Sequence, residues 1–124
     1  MAHEGKIRLT YVIIAPADQA AEGDRIFASH RQWMEGTHHR QGPKALLSYD
    51  VSKAPELSNP MDTSSAPTGN VCFLLNEIYE SEAGVGDHFN QAQSNWAEFP
   101  ALVAWLGKCR LVGSPIAPIV HSLW

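Results

Sequence analysis

The spacing of apolar residues predicts that the chain begins with a strand followed by a helix. Lys6–Ile14 is rich in β-branched residues and shows no helical periodicity, which is typical of a strand. Further along, Ile26, His30 and Trp33 recur at intervals of three and four residues, so they share one face of a helix. This helix is expected to run from Gln19 to Gly36, because a glycine commonly ends a helix.

The rest of the chain shows further strand and helix patterns. Two strands are separated by a segment with three prolines, which predicts a long hairpin loop. A helix, a short helix that begins at a proline, and a final strand interrupted by prolines follow. The predicted bounds are Ala45–Ser52 and Asn70–Tyr79 for the strands, Lys53–Gly69 for the loop, Glu82–Asn95 and Pro100–Leu106 for the helices, and Arg110–Val112 with Ile119–Leu123 for the final strand.

The predicted order, β-α-β-β-α-β, is that of the ferredoxin-like α+β sandwich with an antiparallel sheet. A chain of 124 residues has the length of one domain, so residues 1–124 are expected to form a single unit that contains the loop. Val12 and Leu74 are apolar on the strand sides opposite to Leu9 and Leu75. Because two helices cover only one face of a four-stranded sheet, we expect a homodimer formed through the other face.

Composition and charge argue against several classes of function. A net charge of −4 is unfavourable for binding nucleic acid or an anionic membrane, both of which need a basic surface. No apolar run approaches the roughly 18 residues that span a bilayer, and the N-terminus lacks the layout of a signal peptide. We therefore expect a cytoplasmic protein in which Cys72 and Cys109 are free thiols.

The segment from Asn70 to Trp96 carries the candidate catalytic residues. Strand alternation places Glu77 and Tyr79 on the same face, and His88 follows on the next helix. We interpret His88 as a general acid or base because imidazole titrates near neutrality, Tyr79 as a hydrogen-bond donor, and Glu77 as a pocket carboxyl or a partner of the histidine. Each residue also has a structural interpretation, in which the buried polar side chain forms hydrogen bonds with neighbouring groups and has no catalytic role.

Aromatic side chains supply the candidate substrate-binding residues, either as the walls of an aromatic pocket or as ordinary helix-to-sheet packing. These residues are His30, Trp33, Tyr49, Phe89 and Trp96. A basic group is interpreted either as a rim that attracts an anionic substrate or as a solvated helix end: Arg31, His38, His39, Arg40 and Lys44. No histidine pair has helical i, i+4 spacing and no cysteine pair is closely spaced, so neither a metal nor a cofactor is expected.

The order of elements, the two-faced strands and the segment from Leu74 to Phe89 resemble the dimeric α+β barrel superfamily. The similarity is strongest to its antibiotic-biosynthesis-monooxygenase-like branch, in which a strand ending in glutamate–x–tryptophan or tyrosine leads through an acidic corner into a helix with a histidine. Glu77, Tyr79 and His88 stand at the matching positions, and the match covers about a quarter of the chain. The resemblance implies a homodimer with a pocket between each sheet and its own helices. The chain departs from the haem-degrading branch, since Tyr79 stands where that branch has a tryptophan.

The resemblance and these residues together predict a small cofactor-independent monooxygenase-like enzyme. It would act on an aromatic or quinol-type small molecule by general-base chemistry. One alternative is a cofactor-free isomerase of a small carbonyl or lactone compound, which would use the same groups to move a proton. The other is a non-catalytic ligand-binding dimer, whose polar pocket residues would be structural.

Overall fold

The four strands of the computed structural model, which describes residues 2–124, form one antiparallel sheet in the order β2-β3-β1-β4. Two helical connections and a further short helix complete the order β-α-β-β-α-β, so the predicted ferredoxin-like α+β fold class is confirmed. The elements are β1 (Ile7–Ala15), a 3-10 turn (Ala17–Gln19), α1 (Ala20–Thr37), β2 (Leu46–Leu57), β3 (Pro67–Tyr79), α2 (Glu82–Asn95), α3 (Phe99–Leu106) and β4 (Arg110–Pro118).

The central strand β3 places a carboxyl group in the middle of the core. Its register puts Glu77 opposite Leu9 of β1 on one side and opposite Tyr49 of β2 on the other. Because side chains alternate along a strand, Glu77 points to the same face as Leu75 and Tyr79, and all three are buried. Most of the remaining core side chains come from β1, β3 and the helices and are apolar or aromatic.

The helices bury the faces that the sequence pattern indicated. The buried residues of α1 include Ile26, His30 and Trp33, which confirms the predicted stripe. The bounds of α2 match the prediction, and those of α1 and α3 differ from it by one residue. Within residues 2–124, none of the helices combines the length and apolar character that crossing a bilayer would require.

Two predicted boundaries are wrong, and both errors involve prolines. The loop over Lys53–Gly69 is shorter than expected, because β2 and β3 continue to pair through Pro55 and leave only residues 58–66 between them. The last strand is one continuous element, Arg110–Pro118, and Ile119–Leu123 is not a strand. Both β2 and β4 are edge strands, where a proline without an N–H group is tolerated because one side of the strand has no partner.

Gly84 allows the start of α2 to approach the end of β3. A Cβ atom at this position would lie 2.7 Å from Cδ1 of Tyr79 and 3.0 Å from the backbone oxygen of Lys44. At Gly86, on the same helix, a Cβ atom would meet nothing within 4 Å. The two glycines weaken the helix equally by propensity, but only Gly84 is required by packing.

We predict that alanine at these two positions changes stability in opposite directions. Gly84→Ala forces the buried Tyr79 ring or the backbone at Lys44 to move, which should cost about 1–3 kcal/mol. Gly86→Ala should gain up to about 1 kcal/mol from its higher helix propensity. Urea unfolding of the two variants measures the difference, and a shift of both midpoints in the same direction would contradict the close packing of α2 on Tyr79.

Candidate active site

Three buried polar side chains from three different elements meet between the sheet and the helices. They are His30 of α1, Glu77 of β3 and His88 of α2, and one potential ligand atom of each lies within 4.8 Å of the other two. We refer to these three residues as the His–Glu–His cluster. Two predicted catalytic residues and one predicted binding residue therefore come together in the structure.

The two oxygens of Glu77 differ in their surroundings. Oε1 accepts a hydrogen bond of 2.5 Å from the hydroxyl of Tyr79, whereas Oε2 is buried and has no hydrogen-bond partner among residues 2–124. Burial raises the pKa of Glu77 to about 7, although the hydrogen bond from Tyr79 acts in the opposite direction. Burial and the adjacent Glu77 also raise the pKa of Tyr79, so its hydroxyl stays protonated and can donate.

A chain of hydrogen bonds determines which nitrogen of His88 carries the proton. The hydroxyl of Thr37 donates to the carbonyl oxygen of Trp33 at 2.6 Å, so its oxygen must accept from Nδ1 of His38, 3.0 Å away. Burial lowers the pKa of His38 and favours the neutral ring, which leaves Nε2 of His38 as an acceptor. Nδ1 of His88 lies 2.8 Å from that nitrogen and therefore donates to it. Nε2 of His88 consequently keeps its lone pair.

His30 is held in a similar way from the other side. Its Nδ1 atom shares a hydrogen bond of 2.9 Å with the hydroxyl of Tyr49, and its ring centroid lies 5.7 Å from that of His88. Burial lowers the pKa of His30 to about 3, with a further contribution from His38. Burial likewise lowers the pKa of His88 to about 3, with contributions from His30 and His38. The expectation that His88 titrates near neutrality is therefore wrong, because the ring is shielded from water.

An apolar cavity of about 230 Å³ lies beside the cluster, between the sheet and the helices. His30 and His88 line it together with Tyr11, and the other side chains around it are apolar. They come from the three α-helices and from every strand except β2: Leu9, Ile13, Phe27, Leu75, Phe89, Phe99, Leu102, Val103, Leu106 and Leu111. The volume exceeds the roughly 150 Å³ of a cavity that accommodates benzene, so it suits a small aromatic molecule.

Only some of the predicted binding residues reach this cavity. His30 and Phe89 line it, whereas Trp33, Tyr49 and Trp96 do not. The two indoles stack on each other with ring centroids 5.3 Å apart and donate to Asn95 Oδ1 (Trp33) and Ser29 Oγ (Trp96). They therefore join α1 to α2 and surround the histidines. Tyr49 supports His30 through its hydroxyl, and Glu77 and Tyr79 are absent from the cavity wall.

The sequence analysis did not identify the contributions of α3, Tyr11 and the Thr37–His38 pair. Four residues of α3 close one side of the cavity, but their pattern is that of any amphipathic helix. His38 was assigned to a basic rim, and it does line a surface pocket of about 270 Å³ with Arg31, His39 and Arg40. Its contact with His88 joins the end of α1 to α2, and no local sequence signal indicates such a contact.

Comparison with known proteins supports the fold. The chain is similar to a dimeric ferredoxin-like protein from an uncultured marine organism, whose crystal structure was determined at 1.85 Å resolution. The TM-score is 0.59, the sequence identity is 10%, and the similarity covers 95% of this chain and 99% of that chain. At this identity the similarity is one of fold alone. No family model matches the chain, and no curated protein matches it.

We predict that acidification destabilises the folded protein. The pKa values of His30 and His88 fall from an ordinary 6.5 to about 3 on folding, so the unfolded chain binds more protons and stability is lost as the pH drops from 6.5 towards 3. Glu77 acts in the opposite sense, because its pKa rises from 4.5 to about 7 and its contribution is lost as the pH rises through that window. The two histidines change the stability between these pH values by more than the single carboxyl group does, so the net effect of acidification is a loss of stability.

Urea unfolding at about pH 7 and about pH 4 measures this dependence. His30→Gln removes one of the two buried imidazoles and should reduce the difference between the two midpoints. His121→Gln changes an exposed histidine and should leave it unaltered. Equal stability of the unmodified protein at the two pH values would contradict the burial of neutral imidazoles.

Proposed function

We propose that the protein is an enzyme that encloses a small aromatic or quinol-type molecule and oxygenates it without a cofactor. The observation that carries the proposal is the wall of the cavity, which is apolar except for Tyr11, His30 and His88 and reaches the surface at Val103 and Leu111. A flat apolar molecule would be held by the surrounding side chains, with its acidic group directed to the imidazoles. The match of Glu77, Tyr79 and His88 to the monooxygenase-like branch adds support.

The hydrogen-bond chain that ends at His88 suggests how the reaction would begin. Because Nδ1 donates to His38, the lone pair on Nε2 of His88 is available to take a proton from the bound molecule. Burial lowers the pKa of His88 to about 3, so the transfer would depend on the substrate anion formed beside the ring, whose negative charge favours the imidazolium. For a substrate with an activated CH₂ group, the resulting carbanion reduces O₂ and forms a carbon–oxygen bond, which gives a peroxide. The proton returns from His88 to the outer peroxide oxygen, and loss of water leaves a carbonyl. The overall change is CH₂ + O₂ → C=O + H₂O, so no other reductant is required.

The apolar surroundings would assist this reaction. A substrate that filled the cavity would leave the carbanion and the peroxide against apolar walls, which would limit the access of water to both. His30, whose ring lies 5.7 Å from that of His88, would donate a hydrogen bond to a substrate oxygen as negative charge develops. Glu77 would act behind the imidazoles as a positioning residue, since it does not line the cavity.

A cofactor-free isomerase is the second candidate, and the pairing of the two imidazoles favours it. Two neighbouring rings at one cavity can remove a proton from one carbon and return it to another. An isomerase would turn over without oxygen, whereas the oxygenase requires it. A non-catalytic ligand-binding protein would bind the same molecules without converting them.

We predict oxygen consumption with dihydroxyaromatic or anthrone-like compounds in chelator-treated buffer that contains neither flavin nor nicotinamide. His88→Gln fills the same space and retains a hydrogen-bonding amide but removes the base, so it should lower turnover on the order of 10²–10⁴-fold. His121→Gln, a change of an exposed histidine, is the control and should turn over normally. Absence of oxygen uptake above the autoxidation blank would contradict the oxygenase proposal. Normal turnover in His88→Gln would contradict the assignment of His88 as the base.

We also propose that the enzyme is a homodimer formed through the outer face of the sheet. Val12, Ile14, Cys72 and Leu74 are half-buried there, and Val112, paired with Val12, is 57% exposed. The protein with the similar fold is itself described as dimeric. A second copy would remove these side chains from water.

Sedimentation velocity tests this arrangement. Val112→Lys should shift the protein from dimer to monomer, because the charge would be buried in the interface. Met61→Lys, at a 92% exposed position of the loop between β2 and β3, should leave the dimer intact. A monomeric unmodified protein would overturn the proposal.

A further inference from the structure

The His–Glu–His cluster contains a buried oxygen that its neighbours do not satisfy. Oε2 of Glu77 has no hydrogen-bond partner within residues 2–124, although the whole side chain is buried. A buried carboxylate without a partner is costly, so such a group usually carries a proton or neutralises a cation. In the described part of the chain Glu77 forms no ion pair with a lysine or arginine, and its 3.9 Å contact with Nδ1 of His88 involves Oε1. Oε2 is therefore the oxygen available for a metal ion.

Each of the two histidines has one ring nitrogen that forms no hydrogen bond within residues 2–124. Nδ1 of His30 is hydrogen bonded to Tyr49 and Nδ1 of His88 to His38, so each ring retains Nε2 as the nitrogen without a hydrogen bond. A metal-binding histidine characteristically uses one ring nitrogen for the metal and has the other held by a hydrogen bond. The hydroxyl of Tyr79 holds Oε1 of Glu77 in the same way, by donating a hydrogen bond to it. The two held atoms, Nδ1 of His88 and Oε1 of Glu77, lie 3.9 Å apart and keep the imidazole beside the carboxyl group. Binding of a metal through Nε2 and Oε2 would therefore require both groups to turn toward the ion.

The spacing and chemistry of the donors indicate the class of ion. Two imidazoles and one carboxylate suit divalent transition metals such as Zn²⁺, Co²⁺ and Fe²⁺. Metal–ligand bonds of about 2.0–2.2 Å place tetrahedral donors roughly 3.5 Å apart, so a cluster whose donors lie within 4.8 Å needs to contract by about an ångström. Three protein ligands leave a position open, and the two histidines border the cavity from which a further ligand would come.

We propose that His30, Glu77 and His88 bind one divalent transition-metal ion, with the open position directed to the apolar cavity. The fourth ligand is water or an oxygen atom of a bound small molecule, such as a phenolate or a carboxylate. The site goes beyond the proposed function, because a metal ion uses the lone pair on His88 that the oxygenase needs for its base. Metal binding and metal-free proton transfer are therefore alternative states of the same three side chains.

The experiment is a titration of chelator-treated protein with Co²⁺, followed by its visible d–d absorption, and with Zn²⁺ by calorimetry. One ion per chain and a tetrahedral or five-coordinate Co²⁺ spectrum are expected. Glu77→Gln, which keeps the shape and the contact with Tyr79, should abolish this spectrum. Tyr79→Phe removes only the supporting hydroxyl and should weaken affinity on the order of 10–100-fold. His121→Gln is the control and should bind as the unmodified protein does.

Each outcome decides the metal proposal without reference to catalysis. Absence of stoichiometric binding would overturn it, as would unchanged binding in Glu77→Gln when circular dichroism shows that the variant is folded. Binding that is lost in His121→Gln would place the ion on the surface and would also overturn it. If the protein binds Co²⁺ but consumes no oxygen in chelator-treated buffer, the metal site is supported and the oxygenase proposal is contradicted. If both are present, Zn²⁺ should inhibit oxygen uptake in proportion to site occupancy.

Discussion

The site depends on the burial of one carboxyl group. Glu77 occupies an inward position on the central strand, where its neighbours on the same face are apolar or aromatic. An ionised carboxylate in such surroundings is unfavourable by several kcal/mol unless other groups compensate. The fold supplies Tyr79 on one oxygen and places two imidazoles near the carboxyl group. Gly84 allows α2 to approach the Tyr79 ring closely enough for this arrangement.

The aromatic residues around the cluster set its electrostatic character. Trp33 and Trp96 stack on each other, and their rings lie 5.5 Å from His88 (Trp33) and 5.1 Å from His30 (Trp96), measured between centroids. They replace water with apolar surface, which is why both imidazoles stay neutral over a wide pH range. Their N–H groups are bonded to Asn95 and Ser29, so the rings have a definite orientation. Trp33 and Trp96, which were predicted to be walls of the binding pocket, thus act outside the cavity by shielding the two imidazoles from water.

The cluster stands between two different environments. On one side is the apolar cavity, lined by His30 and His88, and on the other is a surface pocket lined by His38, Tyr49 and basic side chains. The hydrogen bonds from His30 to Tyr49 and from His88 to His38 connect the two sides. The lone pair of His88 that would accept a proton from a substrate would also bind a metal ion. Both proposals therefore follow from the way in which the fold orients two neutral imidazoles over a carboxyl group.

Local patterns in the sequence were sufficient for most of the fold. The first strand, predicted at Lys6–Ile14 from its β-branched residues, lies at Ile7–Ala15, and the buried stripe of α1 follows from the helical spacing of apolar residues. Such patterns reflect the local geometry of a strand or helix and need no distant contact. The hairpin and the last strand were misjudged at their prolines. The effect of a proline depends on whether the strand lies at the edge of the sheet, which a neighbouring strand decides.

The candidate site divides in the same way. The sequence by itself determined that Glu77 and Tyr79 share a face and that His88 follows on the next helix, because strand alternation and short connections are local properties. Only the tertiary structure brought together His30 of α1, His38 directly after α1 and Tyr49 of β2. It also decided the pKa values, since these depend on how completely the assembled helices and sheet exclude water from each group.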